Sequence, residues 1–184
     1  MSELSSAQAI DQLCLQCGMC CNGVLFRDVE LQPGDDGQKL KTLGMPVKGK
    51  AQSGKFNQPC VALGSDCRCR IYADRPSRCR QFECALLLEV MAGHTETEPA
   101  LKLIRSTRRK ADKVLKLMRE IGDQSESVSL SVRFRKLRQR FESGDLADWL
   151  EEKSEEELYD LYGQLTIAVH ELNCVLSEKF YPQK

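Results

Sequence analysis

The stretch "CLQCGMCC", Cys14 to Cys21, places four thiols within eight residues and decides how the rest of the chain is read. Thiols this close either oxidise to one another or share a metal ion, so they are not treated as small apolar core residues. The spacing is Cys14-x-x-Cys17-x-x-Cys20-Cys21. Two intervening residues let a tight turn aim both sulfurs at one ion, and Gly18 relieves the backbone where the turn is sharp. Zinc held by four thiolates and an iron–sulfur cluster both accept this arrangement. Cys20 and Cys21 are adjacent, and neighbouring side chains diverge in either regular structure. They therefore suit two sites better than one, unless one of them is a spare.

A second group follows in "PCVALGSDCRCRIYADRPSRCRQFEC", residues 59 to 84, which adds Cys60, Cys67, Cys69, Cys79 and Cys84. Cys67 and Cys69 are two apart and would point to the same side of a strand or hairpin arm. Pro76 is suited to open a short helix, with Arg75 held extended before it. Cys79 and Cys84, five apart, lie about 140° apart on a continuous helix. Either the helix breaks between them or they serve different ions.

Composition narrows what these thiols do. The chain has 184 residues, ten cysteines and 41% apolar side chains, enough for one domain or a small domain with a helical appendage. "MSELSSAQAIDQL" lacks a basic segment followed by an apolar run, and no stretch approaches the ~18 apolar residues of a membrane span. The expectation is a soluble, cytoplasmic protein with no membrane partner. In a reducing compartment clustered cysteines point to metal or redox chemistry ahead of a disulfide scaffold.

The formal net charge is zero, but residues 102–140 hold 13 basic and 4 acidic side chains and residues 141–184 hold 3 and 11. Helices packed against each other with compensating charge are the favoured reading. A nucleic-acid surface on the basic run Lys102 to Arg119 is possible but not favoured, because its charges circle the helix and no aromatic residue interleaves them.

The expected fold class is α+β, mainly α. A loop-rich cysteine region with short strands, residues 11–93, is stapled by metal, and a C-terminal antiparallel helical bundle, residues 97–181, packs on it or beside it. Pro99 opens the first long helix and Gly122 closes it. Leu101, Ile104, Ala111, Leu115 and Met118 recur on one face. A second helix is expected around Val128 to Glu142, with Leu130, Phe134, Leu137 and Phe141 as its stripe and Gly144 as its stop. Ser154 and Glu157 read as a capping box for a last helix, Glu155 to Lys179, whose core face carries Leu158, Leu161, Leu165, Ala168, Leu172 and Leu176.

At these cysteines the sequence resembles the zinc- or iron-chelating cysteine-cluster proteins, the CxxCxxCC or YkgJ-like family. Their pattern is C-x-x-C-x-x-C-C, then Pro-Cys, then C-x-I-Y-x-x-R-P-x-x-C-R-x-F-x-C. It appears here as "CLQCGMCC", Pro59-Cys60 and "CRIYADRPSRCRQFEC". The resemblance implies that Cys14, Cys17, Cys20, Cys21, Cys60, Cys69, Cys79 and Cys84 chelate metal. Cys67 and Cys174 fall outside it. The match spans roughly residues 14–84 and implies nothing about the helices that follow. It supplies no reaction, although a related motif in a flagellin lysine methylase keeps an enzymatic reading open.

The remaining candidates are weaker. Cys67 is a possible extra ligand or redox thiol, set against a free thiol in a hairpin. Cys174 reads as a packed helical thiol, His94 as a polar loop or helix-end residue, and His170 as a surface residue with no ligand partner at helical spacing. Arg68, Arg70, Arg75, Arg78 and Arg80 would offset the charge of thiolate sites, and Tyr72 and Phe82 would cover them. Trp149 is read as a cap on the bundle core. Phosphate loops, dinucleotide fingerprints and hydrolase motifs are missing, so the reading leans away from an enzyme.

The function expected is a metal-binding protein with a structural or chelating thiolate site, zinc first and iron second. The alternatives are an iron–sulfur redox or transfer enzyme, and a metal-shaped adaptor for an acidic partner or nucleic acid.

Overall fold

In a computed structural model the chain is described over residues 6–49 and 53–182. It opens with a helical run made of α1 (Ser6–Ala9), a π-helical turn (Ile10–Cys14) and α2 (Leu15–Cys17). Gly18, at φ +66°, ends this run in the left-handed conformation that glycine adopts without a Cβ penalty. A two-stranded antiparallel sheet, β1 (Asp28–Glu30) and β2 (Lys55–Asn57), flanks α3 (Gly37–Thr42) and pairs Val29 with Phe56. A 3₁₀ turn (Tyr72–Asp74), α4 (Ser77–Gln81) and α5 (Ala85–Met91) carry the second cysteine group.

Three longer helices complete the fold. These are α6 (Thr97–Ile121), α7 (Leu130–Ser143) and, after the short α8 (Ala147–Leu150), α9 (Glu155–Lys179). Gly122 and Gly144 follow the helices they were expected to stop. The Glu157 N–H donates to Ser154 Oγ at 3.2 Å, as one half of a capping box requires. α6 begins two residues ahead of Pro99, which its first turn tolerates because N–H groups there have no intrahelical acceptor.

The architecture is thus mainly α with few strands. The basic α6 and the acidic-rich α9 pack along each other, with Lys110 Nζ 3.1 Å from Glu171 Oε2. Their contact buries Ile104, Ala111, Val114 and Met118 with Leu165, Leu172 and Leu176 in one core, each of these side chains larger than alanine contributing about 1.5–3 kcal/mol of transfer free energy.

Two hydrophobic cores organise the molecule. The larger takes Leu13, Met19, Val24 and Leu25 from the cysteine-rich region, Leu86, Leu87 and Val90 from α5, and the inner faces of α6, α7 and α9. The N-terminal region is also tied down by hydrogen bonds to its carbonyl oxygens. Leu130 N–H donates to Gly23 O (3.0 Å), and the Tyr181 hydroxyl donates to Leu25 O (2.9 Å). The smaller core is Val29, Leu31, Leu40, Met45, Val47, Phe56 and Ala62, beneath the two-stranded sheet.

Candidate metal centre

The thiols divide according to these two cores. Cys14, Cys17, Cys20 and Cys84 pack against the larger core, whereas Cys60, Cys69 and Cys79 pack against the smaller one. Cys21 joins the second set: its electrostatic neighbours are Cys60, Cys79 and Cys69, and its carbonyl accepts the Cys60 N–H at 2.7 Å. Cys20 has Cys17, Cys84 and Cys14 around it and also feels Cys21, so the two sets adjoin at this dipeptide.

The local backbone explains the division. After Gly18 the chain turns on itself, with the Cys21 and Asn22 N–H groups donating to Gly18 O at 2.9 and 3.0 Å. Met19, fully buried, anchors the turn in the larger core and leaves Cys20 and Cys21 to diverge. At the other end, α4 stops at Gln81, Phe82 is extended at ψ 119°, and Cys84 sits at the N-cap of α5. The helix therefore breaks between Cys79 and Cys84, and the two thiols go to different sets.

A third device is a long-range cap. Pro76, at the N-cap of α4, makes no side-chain cap bond. Asp35 supplies one from 42 residues away, accepting the Ser77 N–H and the Ser77 hydroxyl at 2.8 Å each and the Gln32 N–H at 2.8 Å. Burial opposes the Asp35 charge, yet these donors hold its carboxyl below the usual range. No local signature marks this aspartate, so sequence reading missed a residue that fixes the helix carrying Cys79.

The eight cysteines line one cavity of about 470 Å³, together with Cys67, Gln58, Arg75 and Phe82. Burial pushes the Cys14 thiol up to about 11 and those of Cys17, Cys21 and Cys79 up to about 12. The same cause raises Cys20, Cys60 and Cys84. At neutral pH these are protonated thiols facing one another. Arg75 acts on both sets, drawing down Cys14 in one and Cys21 and Cys79 in the other. Its guanidinium lies 3.7 Å over the Tyr72 ring and donates to Tyr72 O at 3.1 Å. Phe82 meets Phe26 edge-on at 4.8 Å and covers the cavity, while Tyr72 is 44% exposed at its edge.

Among the described residues no three His, Cys, Asp or Glu side chains converge into a ready-made metal site. The donor chemistry nevertheless fits a soft or borderline ion, because each set offers four sulfurs, which such an ion prefers to the carboxylates of Asp28, Glu30 and Glu83 that also line the cavity. An ion would have to displace thiol protons and draw the sulfurs inward from the cavity wall.

Cys67 departs from the strand-like arrangement expected of it. Its φ of +63° is left-handed, so its side chain leaves the chain differently from that of Cys69. Arg108 Nη1 lies 3.3 Å from its Sγ and donates to Gln16 O at 2.8 Å, and a Cβ at Gly18 would stand 3.3 Å from the same sulfur. Cys67 thus lies beside the Cys14–Cys20 turn, and Gly18 permits the approach.

Two other expectations are corrected. Cys174 is exposed and not packed, because it falls on the outer face of α9. His170 does have a partner at helical spacing, since its Nε2 is 3.7 Å from Cys174 Sγ one turn on. The basic helix is also more occupied than its charge suggests. Arg105, Lys110, Lys116 and Arg119 pair with Glu98, Glu171, Glu120 and Glu126, and Arg108 faces Gln16 and Cys67. No described helix is long and apolar enough to cross a membrane.

A mainly helical fold that gathers eight half-buried thiols around one cavity defines a cysteine-cluster protein. The family model named CxxCxxCC, described as "Putative zinc- or iron-chelating domain", matches residues 13–111, more than half of the 184, and the chain belongs to that family. The match runs beyond the cysteines into α6, the helix that supplies Arg108. No curated protein and no solved structure matches the chain.

Proposed function

We propose that this protein chelates two zinc ions, one through Cys14, Cys17, Cys20 and Cys84 and the other through Cys21, Cys60, Cys69 and Cys79. The observation that carries this reading is that seven of the eight family cysteines divide between two separate cores, four and three, and that Cys21 has the three as its neighbours. Four thiolates satisfy zinc completely and leave no open position, so the sites would serve folding or metal storage ahead of catalysis. Bound zinc would supply a cross-link between chain segments. The protein's own residues would supply the sulfurs, the Arg75 charge that offsets them, and the Phe26–Phe82 cover that keeps water away.

A second reading has one observation in its favour. The cavity, at about 470 Å³, is roomier than two zinc ions need, and C-x-x-C-x-x-C with the distant Cys84 suits an iron–sulfur cluster in the first set. Elemental analysis of untagged protein purified without air separates the two. Two zinc per chain with no iron supports the first reading. Several irons with visible absorption support the second, and a folded protein with neither metal overturns both.

A further inference from the structure

The cavity contains a buried polar atom that the protein leaves without a partner. Gln58 is 1% exposed and lines the cavity with the thiols, and its Oε1 has no hydrogen-bond partner among the described residues. The main chain fixes its place: the Gln58 N–H donates to Arg27 O at 2.9 Å, and two residues on the Cys60 N–H donates to Cys21 O at 2.7 Å. A buried amide oxygen lacking a partner destabilises a fold, and an apolar residue of the same shape would not. A ligand held in the cavity would offset that cost.

The chemistry of the surrounding groups identifies the ligand. Protonated thiols are weak acceptors, whereas a metal-bound thiolate sulfur carries negative charge and accepts readily from an amide N–H. A half-turn about the terminal side-chain bond exchanges the Gln58 oxygen for its N–H₂ group without moving the main chain.

We propose that Gln58 is a positioning residue for the metal–thiolate centre, its amide donating an N–H···S hydrogen bond to a coordinated thiolate of the Cys21, Cys60, Cys69 and Cys79 set. The bond forms only when metal binds. The thiol proton leaves to solvent, one sulfur lone pair binds the ion, and another accepts the amide hydrogen, with no change of oxidation state. This rests on the metal–thiolate reading and gives Gln58 opposite effects in the two states. In the metal-free protein it buries an oxygen without a partner, and in the loaded protein it holds the charge of a ligand.

The test compares the full-length protein with its Gln58→Met and Gln58→Leu variants. Metal-free thermal unfolding and competition for Zn²⁺ and Co²⁺ against a chromophoric chelator are measured for each. The metal-free variants are expected to melt at the same temperature as the parent or higher, while affinity for one of the two metal equivalents falls about tenfold or more. The sulfur-to-cobalt absorption band should shift with it. Unchanged affinity in both variants overturns the proposal. So does a fall in metal-free melting temperature that accompanies the affinity loss, which would make Gln58 a packing residue. A parent protein that takes up neither ion overturns the metal–thiolate reading itself, a result distinct from either of these.

Discussion

Cys20 and Cys21 are consecutive in the chain but have different thiol neighbours: Cys20 lies with Cys14, Cys17 and Cys84, and Cys21 with Cys60, Cys69 and Cys79. The doubled cysteine is therefore where two sets of four meet. It lets one turn, pinned by Gly18 and Met19, contribute to both.

This division makes paired substitutions informative. Cys84→Ser should remove one metal equivalent and leave the other, and Cys79→Ser should do the same from the other set. The double variant should bind none. Equilibrium dialysis with elemental analysis measures this directly. Loss of both equivalents from either single substitution would mean that the eight thiols form one indivisible cluster.

The raised thiol pKa values fix the sign of the pH dependence. With Cys14 near 11 and Cys17, Cys21 and Cys79 near 12, these four thiols are protonated at pH 7 in the metal-free protein. Cys20, Cys60 and Cys84 are raised likewise, and each of these seven thiols releases a proton when it becomes a thiolate ligand, so about seven protons should appear when two zinc ions are taken up. Affinity should fall steeply as pH is lowered. A pH indicator in weakly buffered solution counts the protons, and a count near zero would show that the ligands were already ionised or are not sulfur.

The sequence spoke most clearly where the physics is local. Gly122, Gly144 and the Ser154–Glu157 pair mark helix ends through bonds made within a few residues, and the helices stop and start beside them. The break between Cys79 and Cys84 was one of two readings left open by a five-residue spacing, and the structure shows both a break and separate sets. Asp35 on Ser77 and Arg108 on Cys67 are relationships across 42 and 41 residues, and the partnerless Oε1 of Gln58 depends on the packing of the whole cavity, so no periodicity carries them. Cys174 was misread because the α9 stripe of leucines fills the buried face on its own and leaves the thiol outside.

The ninth thiol should prove dispensable for stoichiometry. Cys67 Sγ faces Arg108 Nη1, and its left-handed backbone turns it away from the course that Cys69 follows. Cys67→Ser is expected to retain both metal equivalents. Retention of only one, measured by the same dialysis, would make Cys67 a resident ligand in place of one of the eight.

One buried ion pair outside the cluster should set the acid limit of the helical region. Arg133, 3% exposed on α7, donates from Nε to Asp123 Oδ2 at 2.7 Å and from Nη2 to Asp123 O at 3.1 Å. Burial opposes the Asp123 charge, but Arg133 and the Ser125 donors overcome it and hold the carboxyl below its ordinary value. The contribution is present above the unfolded carboxylate pKa of about 4 and is lost as pH falls through the lower folded value. Arg133→Met leaves the acid uncompensated and should destabilise the fold by about 3 kcal/mol, while Asp123→Asn should flatten stability against pH below about 4. Urea unfolding of metal-free protein across that range measures both. A parent and an Asp123→Asn variant with parallel acid profiles would show that the pair contributes nothing there.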